Sequence, residues 1–249
     1  MFFDGIEFAR EEGPLSLPPA LRRELNRLAS EASGRHVPPE ETETRLAAAN
    51  LAHFVWSTAG RSRRLVAYAL NELYEVELGG EKRAANFFSS AFIAKEIRWK
   101  FSLYQFLGSL RTTGDEAYLF VRTQSPLMIS FFYRFCKLSG YQFFSPLSQR
   151  VPLDVTQLVA GRFGAEGLVL KGAYGRRASM APIAARSTQA SKILGKLDVA
   201  AGDACVLVGR KLEHERAARA LPGAAGFGIP KPPRALPAGA LPLGAGSRL

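Results

Sequence analysis

The chain has 249 residues, 47% of them hydrophobic and 10% aromatic, with a formal net charge of +11. That is enough length for one large domain, or one domain with an appendage, and enough apolar material to exclude wholesale disorder. Five of the eleven excess charges (Arg216, Arg219, Lys231, Arg234 and Arg248) lie beyond Glu215 in a stretch without an acid, leaving six elsewhere, a surplus that suits a phosphorylated cofactor and does not require nucleic acid.

In chain order, residues 5–12 alternate as a short first strand. Pro18-Pro19 then opens a helix with apolar positions at Leu21, Leu25, Leu28 and Ala29, close to the helical period. A second helix starts at Pro38-Pro39-Glu40-Glu41, where proline and acids suit a first turn. Residues 51–58 read as a strand, 64–78 as a longer one, and 86–94 as a third after the Gly79-Gly80 turn. A basic turn leads to a helix over about 101–110, then a strand at 116–123 and a helix entered through Ser125-Pro126. Farther on, 152–163 suits a helix, while 167–174 and 203–210 suit strands. Residues 175–191, rich in small residues, Ser and Arg, read as a mobile loop, and the six prolines beyond 216 read as a disordered tail.

Cys136 and Cys205 share no metal or redox spacing and fall in apolar elements, so buried free thiols are expected. His36, His53 and His214 have no ligand spacing, so no metal is expected. No apolar run approaches a membrane span, and residues 1–4 lack the basic start of a signal peptide, so the expectation is a cytoplasmic protein without a membrane partner.

Residues 86–141 carry the chemistry. A strand, a basic turn and a helix present backbone N–H groups and positive charge at a helix N-terminus, the usual way to hold phosphate. The segment resembles the cofactor-binding core of the general N-acetyltransferase superfamily (GNAT). The resemblance covers about residues 5–146 and rests on the order of elements, the turn at Arg98 and the run from Arg122 through Ser125-Pro126 to Gly140-Tyr141. It implies an α/β (α+β) fold, with a mixed, largely antiparallel central sheet, a splayed strand pair and flanking helices. The expected division is an acyltransferase domain over 1–146, an extension over 147–215 and the tail over 216–249. Residues 151–215 have three readings: a cover for the cleft, completion of the sheet, or a homodimer surface.

The resemblance also implies a site. Backbone groups of Ala91, Phe92 and Ile93 would hold the pantetheine arm of acetyl-CoA or another acyl-CoA, with Ser125 at the polar helix start. The family's phosphate loop, Q/R-x-x-G-x-G/A, falls on Arg98, Trp99, Lys100, Phe101, Ser102 and Leu103. Both glycine positions are large here, where glycine lets the backbone approach the pyrophosphate; Arg98, Lys100 and Ser102 offer charge and a hydroxyl instead. Counting from Ser125, the family's thiolate-protonating tyrosine falls on Phe132 with Tyr133 beside it; counting back from Gly140 gives Cys136. Tyr133 is the candidate acid.

Amine attack on a thioester needs a base, N–H donors for the oxyanion and a proton for sulfur. Among Glu72, Glu75 and Glu77, Glu72 shares a strand face with Tyr68 and Tyr74 and is the candidate base. The activity implied is transfer of an acyl group from acyl-CoA to a primary amine of a small molecule or protein. A catalytically degenerate ligand- or partner-binding module is the alternative, and a nucleic-acid-associated protein a third reading.

Overall fold

The computed structural model describes residues 5–58, 63–78, 80–97, 116–165, 167–174 and 187–212. The expected helix at 101–110, most of the expected loop and the expected tail lie outside the described residues. Eight strands make one sheet: β1 (Ile6–Glu12), β2 (Leu51–Ser57), β3 (Arg64–Leu78), β4 (Glu81–Ile93), β5 (Tyr118–Thr123), β6 (Tyr141–Phe144), β7 (Val169–Leu170) and β8 (Ala204–Lys211). Their order is β1-β2-β3-β4-β5-β8-β6, with β7 on the side of β8. Among these pairings only β4–β5 is parallel. The mixed, largely antiparallel sheet implied by the resemblance is therefore present, and β8 completes it by inserting between β5 and β6.

Among the described residues, five helices flank the sheet: α1 (Pro19–Ser33), α2 (Pro39–Ala48), α3 (Pro126–Leu138), α4 (Leu153–Phe163) and α5 (Thr188–Leu194). Helix α1 starts at proline, whose missing N–H costs nothing in a first turn, and ends where Gly34 takes φ 72°. Its buried stripe is Leu21, Leu25, Leu28, Ala29 and Ala32. A Thr42 hydroxyl donating to Asn26 Oδ1 at 2.7 Å and an Arg22–Glu43 ion pair at 2.8 Å tie α2 to it.

Alternation along β3 separates the faces. Tyr68 packs on Phe92 near the charges of α2, and Glu72 and Tyr74 on the same face meet Arg162 of α4. Phe87 and Phe120 stack at 5.0 Å on this side, with Phe163 edge-on to both. On the opposite face, Phe88 meets Phe132 of α3, and α5 packs against α3.

Some boundaries differ from expectation. Strand β4 starts at Glu81, because residues 81–85, whose first three are charged, complete a hairpin whose register begins at Leu78↔Glu81. The strand expected over 167–174 is only Val169–Leu170, since Asp203 captures the following turn. Helix α5 stands in the expected loop, started by Ser187 Oγ accepting from Ala190 N–H.

Both cysteines are free and buried. Burial pushes each thiol pKa up, that of Cys205 to about 12, while its S–H donates to Thr123 O at 3.1 Å. Cys136 faces Gly209 so closely that a Cβ there would lie 2.8 Å from its Sγ. Gly209→Ala is expected to lower stability by about 1–3 kcal/mol in urea unfolding, and the loss should shrink when combined with Cys136→Ala. An equal loss in both backgrounds contradicts the contact.

His53 is 2% exposed, opposite Arg10 on β1, and its Nε2 has no hydrogen-bond partner. Burial, then the Arg10 charge, depresses its pKa from 6.5 to about 3. The unfolded chain therefore binds a proton between these values that the folded chain refuses. The stabilisation is complete above pH 6.5 and is lost as pH falls toward 3. His53→Gln should flatten the acid limb of the stability–pH curve by about 2–3 kcal/mol between pH 6.5 and 4; an unchanged limb contradicts a neutral buried His53.

Candidate functional site

The site begins at a bulge. β3 and β4 pair as Asn71↔Phe88 and then Leu70↔Ser90, so Ser89 is an extra residue, its hydroxyl donating to Leu70 O at 3.0 Å. A bulge bends its strand and ends pairing on its other edge. The parallel ladder accordingly runs only from Ala85↔Tyr118 to Phe88↔Val121, after which β4 and β5 diverge.

Both strand ends are fixed in the splayed position. Ala94 N–H donates to Val66 O at 2.8 Å, so alternation turns the peptide groups of Ala91 and Ile93, rather than those of Phe92, toward the gap. Glu96 pairs with Arg64 at 3.0 Å just before residue 98. On β5 the Arg122 carbonyl accepts the Tyr174 hydroxyl at 2.9 Å, and Gln124 Nε2 donates to Asp203 O at 2.5 Å. Asp203, 1% exposed, also holds the turn that carries Tyr174, accepting from Lys171 Nζ at 2.7 Å and Gly172 N–H at 3.1 Å. The Lys171 hydrogen bond is the main cause of its lowered pKa.

A cavity of about 180 Å3 opens between the diverging strands. Its two halves differ in chemistry. Phe88 and Val121, with Leu127, Met128 and Phe131 of α3, make an apolar wall. Toward α1 and α2 the lining holds Arg35, Arg45, Arg122, Tyr174, Phe92 and Ser90, and no acid is among the described lining residues. Arg35 and Arg45 both pair with Glu41, Arg35 at 2.7 Å. Arg45 lies over the Phe92 ring at 5.5 Å and Arg122 over the Tyr174 ring at 5.2 Å. Arg122 has no carboxylate at ion-pair distance among the described residues. Burial raises the Tyr174 pKa, with Arg122 opposing. Ser90 is 7% exposed and its Oγ has no hydrogen-bond partner among the described residues.

The sequence-derived candidates separate into three groups. Ala91, Phe92, Ile93 and Ser125 line the cavity. Ser125 caps α3, its Oγ accepting from Met128 N–H at 3.3 Å, because a proline follows and leaves that first turn open. Arg98, Trp99, Lys100, Phe101, Ser102 and Leu103 lie outside the described residues. Glu72 and Tyr133 are brought elsewhere. Glu72 pairs with Arg162 at 2.5 Å under α4 and does not line the cavity, while Tyr133, 37% exposed, packs edge-on against Phe143 on the outer side of α3. Helical geometry explains Tyr133: the neighbouring Phe132 takes the inward position against Phe88.

Arg122 and Tyr174 were missed by sequence reasoning. A lone arginine in the apolar run YLFVRT was the available signal for the first; Tyr174 depends on a turn organised by Asp203, 29 residues later in the chain, and had none.

The fold and cleft thus define a mixed α/β protein built around one parallel strand pair that opens into a ligand-sized gap. No protein-family model and no curated protein matches the chain. Solved structures similar to it include the ribosomal-protein-S18-alanine N-acetyltransferase of Escherichia coli, at TM-score 0.45 and 7% identity over 84% of this chain and 97% of that one. Arabidopsis thaliana Naa50, solved with the bisubstrate analogue CoA-Ac-MVNAL, gives TM-score 0.44 and 9% identity over 82% and 97%. A conserved protein of unknown function from Enterococcus faecalis V583 gives TM-score 0.38 and 12% identity over 59% of this chain, which spans 38% of that protein's length.

Burial raises the Glu72 pKa although Arg162 pulls it down. Arg162→Met should therefore leave a carboxylate that is costly to keep charged. The expected loss is about 1–3 kcal/mol at pH 7, shrinking at acid pH as Glu72 takes up its proton. A loss independent of pH contradicts this pairing.

Proposed function

We propose that the protein transfers an acyl group, in the simplest case acetyl, from acyl-CoA to a primary amine. The observation that carries this reading is the gap between β4 and β5 after the Ser89 bulge, with an apolar wall on one side and a basic wall on the other. An extended strand edge can hydrogen-bond the amides of a pantetheine arm, and a cavity of about 180 Å3 suits the thioester end of that arm rather than a nucleotide. The pyrophosphate is assigned to the basic turn, with Arg98, Lys100 and Ser102 contributing.

In this reading Ala91 N–H, and with it Ile93, faces the thioester carbonyl and supports the developing oxyanion. The attacking amine must be neutral. Three guanidiniums and no acid along the described lining disfavour an ammonium, so the positive field lowers the acceptor's pKa and does part of a base's work. Glu72, held by Arg162 beneath α4, is given a positioning role in the sheet face that carries Tyr68 and Phe92. The departing thiolate needs a proton. Tyr174 is the tyrosine among the described lining residues, and burial keeps its phenol protonated, so it is assigned the part that the sequence suggested for Tyr133.

Calorimetry with acetyl-CoA and CoA should show micromolar binding. Ala91→Trp, which fills the gap, should weaken it at least tenfold, and Arg98→Ala should weaken it too. Absence of binding to either ligand sinks the acyltransferase reading. Tyr174→Phe should lower kcat by about 10–100-fold with acetyl-CoA affinity unchanged, while Tyr133→Phe leaves kcat within about twofold. The reverse ranking would restore Tyr133 as the acid.

A further inference from the structure

We propose that the amine acceptor carries a carboxylate, as a free amino acid does, and that Arg122 and Arg45 bind it in the basic half of the cavity. This rests on the acyltransferase reading and adds the chemical class of its second substrate. Three observations converge on it. The described lining contains three arginines and no acidic residue, so a polycationic acceptor, such as a polyamine or a lysine-rich peptide, would meet repulsion and find no counter-charge there. Two of the arginines share the single carboxylate of Glu41, and Arg122 has no carboxylate at ion-pair distance among the described residues, its charge reaching Glu72 only through space, so positive charge at the cavity wall exceeds the negative charge paired with it. Ser90 places a buried hydroxyl without a hydrogen-bond partner on the same wall, a group whose burial is costly unless a ligand engages it.

Geometry supports joint action. Arg45 and Arg122 line the same cavity, and the charge of each reaches the Tyr174 phenol. Arg45 comes from α2 over Phe92 of β4, and Arg122 from β5 over Tyr174 of the turn after β7, so a strand and a turn carry the two aromatic platforms. A guanidinium fork matches a carboxylate in two parallel hydrogen bonds, and the Ser90 hydroxyl can donate a third. With its carboxylate so placed, an amine one carbon away is directed toward the thioester at the gap.

Anionic oxygen at this wall has two sources, the acceptor's carboxylate and a cofactor phosphate, and the test separates them. The full chain is titrated in a calorimeter with each free L-amino acid, with the corresponding C-terminal amide, and independently with acetyl-CoA. The expected result is at least one free amino acid bound tenfold or more tighter than its amide. Arg122→Gln and, as a second variant, Arg45→Gln should erase that difference while changing acetyl-CoA affinity less than threefold. The proposal is overturned if amides bind as well as acids, if no free amino acid binds, or if the preference survives both substitutions. It is also overturned if the substitutions weaken acetyl-CoA tenfold, since the guanidiniums would then serve the cofactor's phosphates. Loss of acetyl-CoA binding in the unaltered protein, with the acid-over-amide preference intact, would instead remove the acyltransferase reading and leave an amino-acid-binding site.

Discussion

One extra residue in one strand governs this site. Without Ser89, β4 and β5 would continue their parallel ladder past Phe88 and Val121, and the sheet would be closed where the cavity now lies. The bulge shifts the pairing of β4 with β3 and bends it away from β5. It also decides which peptide groups of β4 face the gap, placing Ala91 and Ile93 there. The loss of ladder bonds is offset by specific substitutes: the Ser89 hydroxyl takes Leu70 O, and the Tyr174 hydroxyl takes the Arg122 carbonyl. A backbone group removed from a sheet needs another partner if it is to be buried at tolerable cost.

The surrounding structure holds that opening rigid. On one face Phe88 and Phe132 lock β4 to α3 just before the split, and on the other Phe87, Phe120 and Phe163 form a triangle beneath it. These aromatic contacts sit at the last paired residues, so the two strands are clamped together up to the point where they separate. Beyond it, α2 and the connection from α1 bring Arg45 and Arg35 to one side and α3 brings Leu127 and Met128 to the other. The asymmetry of the cavity is therefore a consequence of which helices cover which face.

Much of this was legible in the chain before any coordinates. Pro19, Pro39 and Pro126 announced three helix starts, and the runs in 51–58, 64–78 and 203–210 announced strands. Ser125 and 91–93, which the resemblance singled out, line the cavity, and the local strand and helix pattern accounts for their position there. What failed to show was long-range. Glu72 looked available by its neighbours on β3, yet its partner Arg162 is 90 residues away. Tyr133 and Phe132 are adjacent and both aromatic; only the packing of α3 decides which one turns inward. A bulge at Ser89 leaves no mark in a run such as NFFSSAFI, because serine fits a strand edge as well as a bulge.

The cavity's charge also bears on the glycine-poor turn. On the proposed function, large residues at sequence positions 101 and 103 would leave a pyrophosphate fewer close backbone N–H contacts than glycines would. Less of the ligand's binding energy would then come from that end, and more would have to come from the thioester end and the acceptor. In the proposed reading the described cleft would meet that need in kind: an apolar wall for the acyl arm, two directed peptide edges, and three guanidiniums with the one carboxylate of Glu41 beside them on the side given to the second substrate. Binding energy concentrated near the reacting atoms is also the kind that can act selectively on the transition state. On the proposed function, the large residues at 101 and 103 and the basic wall of the cleft would thus be parts of one distribution of binding energy.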